Sequence, residues 1–189
     1  VNWPNVQPSV VIDAGEIKLG VIGLSTFETP NVTLPMNFFG LAMAPLAAAV
    51  EQEAKKLRHQ GAKVVIVAAH AGGECETFED PKDLSSCKVP HEIFEVAEAL
   101  PQGTVDLIVA GHTHRAVAHE VNGIAIIESY AKGRAFGRID LTVDGSKVTV
   151  DEIHPPRDIC YEGRGPECDP GSYEGVKVVA DEAVAAVAA

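Results

Sequence analysis

Val105-Asp-Leu-Ile-Val-Ala-Gly-His-Thr-His114 decides how this chain is read. An aliphatic run of this kind marks a strand buried on both faces. It stops at Gly111 and delivers His112 and His114 beyond its carboxyl end. Lys63-Val-Val-Ile-Val-Ala-Ala-His70 does the same with His70, followed at once by Ala71-Gly72-Gly73. Open α/β sheets bind ligands outside the carboxyl ends of their strands. Two parallel strands that end in histidine there predict a metal site made by His70, His112 and His114. In an extended backbone, His112 and His114 project to one side and Thr113 to the other. Small neighbours leave room for a ligand, and neutral imidazole suits zinc, iron or manganese. A mononuclear three-histidine site is one option. A two-metal centre needs a bridging aspartate and further ligands, and none is evident.

The 189 residues suit one domain with a sizeable core. A formal net charge of −12 argues against a nucleic acid polymer or an anionic membrane as partner. It leaves a small phosphorylated molecule open, because bound metal ions reverse the local field. No apolar run approaches the ~18–20 residues that span a bilayer. The chain opens Val1-Asn-Trp-Pro4 without an initiator methionine, so it reads as part of something longer. Its four cysteines permit three connectivities, and the two local pairs, Cys75 with Cys87 and Cys160 with Cys168, would each staple a core-poor loop. That points to an oxidising compartment, periplasmic or secreted.

Around the two histidine strands the pattern is α/β. Val10 to Leu24 reads as a hairpin and 25–35 as a loop too rich in Pro, Thr and Asn for helix. Pro45 to Gln60 and His91 to Leu100 read as helices, from apolar residues at helical spacing. Turns at Asn122-Gly123 and Asp144-Gly145 organise the strands after residue 115 into an antiparallel meander. From His154 onward, prolines, glycines and the last cysteines read as a connector, ending in a short helix from Asp181. The expected division is therefore 1–153 and 154–189. His59, His91 and His119 are expected at the surface, and the acids Glu74, Glu76, Glu79, Asp80 and Asp83 in a solvated loop. Arg115, Lys132, Arg134 and Arg138 lie near the histidine motif but read as surface residues.

Gly111-His112-Thr113-His114 after a hydrophobic strand resembles the terminal motif of the calcineurin-like metallophosphoesterases, and the strand ending at His70 resembles that family's upstream single-histidine strand. Leu19 to Pro30, Leu57 to Ala62 and Gly133 to Leu141 are similar to its 5′-nucleotidase branch. The resemblance implies a four-layer α/β/β/α sandwich with a dinuclear metal centre. His70 and His112 would hold one ion and His114 the other, and an activated water would attack phosphorus in line. It also implies nucleotides or similar small phosphorylated substrates, handled outside the cytoplasm.

The family's Asp-x-His, Gly-Asp-x-x-Asp and Gly-Asn-His-Asp/Glu motifs do not occur in the 189 residues. The chain thus looks like the second half of a catalytic domain, and no catalytic residue is assigned to it. The piece alone is expected to be inactive, and to oligomerise or to pair with the complementary half through its exposed sheet surface. Two other readings stand beside this one: a non-catalytic module of the same fold that keeps some metal affinity, and an interaction domain stabilised by zinc on the cysteines.

Overall fold

The aliphatic runs that lead to His70 and to His112 enter one six-stranded sheet. The structure, a computed structural model, describes residues 3–160 and 171–188. It divides into two compact units, Val1–Arg157 and Asp158–Ala189. In the first, β1 (Ser9–Ala14) and β2 (Ile17–Ser25) form the hairpin. Parallel pairing then runs from β2 to β3 (Val64–His70), from β3 to β4 (Leu107–Val109), and from β4 to β6 (Ile124–Ser129). β5 (Ala116–Val121) closes the edge antiparallel to β6, giving the order β1-β2-β3-β4-β6-β5. β7 (Ala135–Asp144) and β8 (Lys147–Asp158) form a two-stranded sheet of their own. The second unit holds the small pair β9 (Ser172–Tyr173) and β10 (Val176–Lys177), with a terminal helix, Glu182–Ala188.

Two faces follow from the register. Ile22, Val67, Ile108 and Ile126 stand in one row, with their neighbours Val65 and Ile124 on the same side. Two helices cover that side: α3 (Leu46–His59), through Val50, Ala54 and Leu57, and α4 (Glu92–Ala99), through Ile93, Phe94, Val96 and Ala97. Helical spacing made α3 legible, and Gly61 ends it with a φ of 92°, where its N–H bonds back to the Arg58 carbonyl. On the opposite side Leu107, Ala118 and Ala125 form a smaller core with Ile153, Ile139 and Leu141 of the β7–β8 pair. Helices on one face and strands on the other are the mixed α/β arrangement anticipated for half of such a sandwich.

β5 and β6 pair antiparallel across the Asn122-Gly123 turn, as anticipated, and the hairpin joins the main sheet by its second strand. Ile124-Ala-Ile-Ile127 is apolar on both sides and takes the inner place, while Glu120 of β5 stays half-buried at the edge. The structure corrects three expectations. Residues 25–35 are not all loop, since two one-turn helices, α1 (Thr29–Val32) and α2 (Pro35–Phe38), carry proline in their first turn, where a missing N–H costs nothing. His154 and Pro155-Pro156 belong to β8, not to a connector: a two-stranded sheet has free edges that tolerate proline. His119 is fully buried, because it continues the row Ile22–Val67–Ile108–Ile126 on the helix side of the sheet, beneath the loop that carries Phe78 and the Cys75–Cys87 bridge.

Candidate metal centre

The chain leaves β4 at Val109 and must pass the end of β6 to reach β5. That passage, Ala110 to Arg115, carries the histidine motif. It is pinned at one end by the Gly111 N–H to the Ala71 carbonyl (3.4 Å) and at the other by the Tyr130 N–H to the Arg115 carbonyl (2.8 Å). His112 and His114 have φ values of 90° and 59°, in the left-handed region. Non-glycine residues there cost on the order of 1–3 kcal/mol and persist where the surroundings over-determine them. The alternation of an extended strand, expected to align the two rings, is therefore not what places them.

His70, the last residue of β3, and His112 come together. Nε2 of His70 lies 3.1 Å from Nδ1 of His112, with ring centroids 4.7 Å apart and planes at 66°. The other nitrogen of His112, Nε2, lies 3.2 Å from Oε2 of Glu28. Two imidazole nitrogens on one ion, each at ~2.0–2.1 Å, stand about 2.9–3.4 Å apart for ordinary coordination angles. The 3.1 Å separation of His70 Nε2 and His112 Nδ1 falls within that range. Metal-bound histidines characteristically donate their remaining N–H to a carboxylate, which is where Glu28 stands. His114 is exposed on the same turn and makes no hydrogen bond to another described residue. Among the described residues, its ligand atoms do not close into a three-ligand group with the other two histidines.

Glu28 was not singled out from sequence. It sits in the Phe27-Glu-Thr-Pro30 segment, and nothing local distinguishes it from a surface acid. Glu128 was missed as well. It is 1% exposed, accepts the Gly73 N–H on Oε2 (3.0 Å) and faces the Thr113 hydroxyl from Oε1 (2.7 Å).

The acid-rich loop after His70 is tied into the fold. Cys75 and Cys87 form a disulfide, as the local pairing anticipated. Glu74 pairs with Lys88 at 2.8 Å and approaches Arg115 at 3.7 Å, and these cations, Lys88 first, hold its carboxyl below the usual range. Cys160 is also disulfide-bonded, while Cys168 lies outside the described residues. The buried His119 stands with Cys75 and Cys87 in a group whose ligand atoms fall within 4.8 Å of one another. The sulfurs are spent in the bridge, so this group offers no thiolate, and zinc on these two cysteines is excluded. Burial pushes the His119 imidazole down, against the pull of Asp83 and Asp80. Arg138 makes a two-point pair with Asp140, and Arg134 lies over the Tyr130 ring at 4.4 Å.

No family profile matches the chain. It is 29% identical over 153 residues to the cell wall protein Lmo0130 of Listeria monocytogenes, a match that spans 79% of this chain and 19% of that protein. It is 28% identical over 169 residues to a 5′-nucleotidase of Diplobatis ommata, across 79% of this chain and 26% of that one. The fold superposes on a calcineurin-like phosphoesterase, YfkN of Bacillus subtilis, with a TM-score of 0.61 at 19% identity, covering 80% of this chain and 50% of that one. The chain is thus a piece of the calcineurin-like metallophosphoesterase fold. In sequence it is similar to 5′-nucleotidases and to UshA proteins, over about a quarter of their length. It spans about a fifth of the length of Lmo0130 and about a quarter of that of the nucleotidase. No helix among the described residues is long and apolar enough to cross a membrane.

Proposed function

We propose that this chain supplies the histidine half of a divalent metal centre in a 5′-nucleotidase-like phosphoester hydrolase. The observation that carries the reading is the 3.1 Å convergence of His70 Nε2 and His112 Nδ1 at the carboxyl ends of two adjacent parallel strands. His70 and His112 would hold one ion and His114, two residues further along the turn, would face a second. Glu28 would accept the remaining N–H of His112, fixing its tautomer and ring orientation. Zinc, manganese or iron suit such a donor set. When bound, a pair of such ions supplies Lewis acidity and an activated water for attack on phosphorus.

Three imidazoles offer three ligands and no bridging carboxylate. The 189 residues alone should therefore bind metal weakly and hydrolyse nothing. The sheet face opposite the helices is the surface on which a complementary half, or a second copy, would pack. The substrate class is a small phosphorylated molecule such as a nucleotide, as the named 5′-nucleotidase relative suggests. A place outside the cytoplasm is supported by the Cys75–Cys87 bridge and by the relative named as a cell wall protein. A non-catalytic metal-binding module of the same fold is the competing reading.

Equilibrium dialysis of the chain against Mn2+ or Zn2+ tests the site. Binding that drops at least tenfold in both His70→Ala and His112→Ala is expected; binding indifferent to both substitutions would refute it. Turnover of a nucleotide or aryl phosphate that vanishes in His112→Ala would overturn the expected inactivity.

A further inference from the structure

Glu128 ends the apolar run of β6 almost completely buried, and the metal centre as described gives it no task. A carboxyl group is kept at that depth only where hydrogen bonds offset its lost hydration. Its partners here come from the two turns that carry the histidines. Gly73, three residues beyond His70, donates its N–H to Oε2 at 3.0 Å. The hydroxyl of Thr113, the residue between His112 and His114, lies 2.7 Å from Oε1 and also 2.7 Å from the Gly73 carbonyl oxygen. The three groups close a ring of contacts in which the single Thr113 hydroxyl hydrogen serves one of the two oxygens at a time. It has no slack, since a Cβ added at Gly72 would stand 2.5 Å from Glu128 Oε2 and 2.4 Å from the Gly111 carbonyl oxygen.

We infer that Glu128 is the positioning residue of the histidine pair. By binding the turn after β3 to the turn after β4, it sets the separation of His70 and His112. Only the purpose of that spacing, metal binding, rests on the function proposed above; the clamp itself stands on its own contacts. An apolar residue continuing Ile124-Ala-Ile-Ile127 would fill the same volume without any desolvation cost. It would leave the Gly73 N–H and the Thr113 hydroxyl without this shared anchor.

The hydrogen inventory makes the inference sharp. In Glu128→Gln, the amide oxygen can accept from Gly73 and the amide N–H can donate to Thr113. The Thr113 hydroxyl then passes its own hydrogen to the Gly73 carbonyl, so every link survives. Glu128→Ala removes the anchor. Thr113→Val removes the hydroxyl with little change of shape, and Thr113→Ser restores it.

Two readouts on the whole 189-residue chain test this: Zn2+ affinity by dialysis, and the ring-to-ring nuclear Overhauser effect between His70 and His112 without metal. Glu128→Gln and Thr113→Ser should stay close to the parent chain in both. Glu128→Ala and Thr113→Val should lose about 10–100-fold in affinity, the usual effect of losing an outer-shell partner, and lose the ring contact with unchanged circular dichroism. Parent-like behaviour of Glu128→Ala or Thr113→Val, or equal losses in Glu128→Gln and Glu128→Ala, would overturn the inference. If Glu128→Ala does not fold, the Thr113 pair decides. If the parent chain binds no Zn2+, the metal reading fails and the ring contact alone decides the clamp.

Discussion

Glu28 and His112 lie 84 positions apart, and only the folded chain makes them partners. That is the general pattern at the residue scale. The meeting of His70 and His112 was legible because each lies at or just beyond the end of an aliphatic strand. The carboxylates that orient their turns were not, since an acid's role is set by what crosses the sheet end to meet it. His119 misled because strand alternation names a face without saying whether that face is covered. Asp140 gives the clearest titration. The two-point contact with Arg138, and then His154 at 3.0 Å, hold its carboxyl down at about 2 instead of the ordinary 3.8. A depressed carboxylate contributes stability that is whole above its unfolded value and is lost as pH falls through its folded one. Asp140 should therefore add to acid destabilisation between about pH 4 and pH 2. Urea midpoints across that window should fall less steeply in Asp140→Asn, and an unchanged slope would contradict the assignment.

At the scale of elements, strands and helices were readable from periodicity, while the sheet order was not. Both strands of the β5–β6 hairpin carry apolar residues, and only the contrast of Ile124-Ala-Ile-Ile127 with Glu120 favours β6 for the place beside β4. The rule that proline breaks helices misread residues 25–35, because first-turn positions accept it. The loop after β3 was read as needing a staple, and the bridge closes 12 residues of it. Cross-linking a loop of that length is worth about 2–4 kcal/mol, chiefly by restricting the unfolded chain. Replacing Cys75 and Cys87 together by serine should lower the unfolding free energy by roughly that amount. Because Cys75 also donates its N–H to the Ala116 carbonyl, β5 should be the strand whose amides lose most protection from hydrogen exchange. Equal protection before and after would show that the bridge constrains the loop alone.

For the whole molecule, the decisive property is the sheet face opposite the helices. β7 and β8 cover its middle, yet Val10, Ile12 and Val109 remain 45%, 47% and 47% exposed. Such surface favours association. Sedimentation equilibrium of the chain should report self-association that weakens when Val10 and Ile12 are changed to lysine; a monomer at all concentrations would count against that pairing surface. The likeness to longer phosphoesterases was legible in the histidine motif and in further stretches between Leu19 and Leu141.

The detour from β4 past the end of β6 to β5 has a consequence in time. His112 and His114 leave the ribosome well before Ile124 to Ser129, yet their turn is held from beneath by Glu128 of that later strand. A nascent chain stopped at Val121 would display every histidine of the motif and no floor to set them on. The contacts of Glu128 with Gly73 and Thr113 can form only once β6 has paired with β4, so the later of these two strands is the one that ties the two histidine turns together.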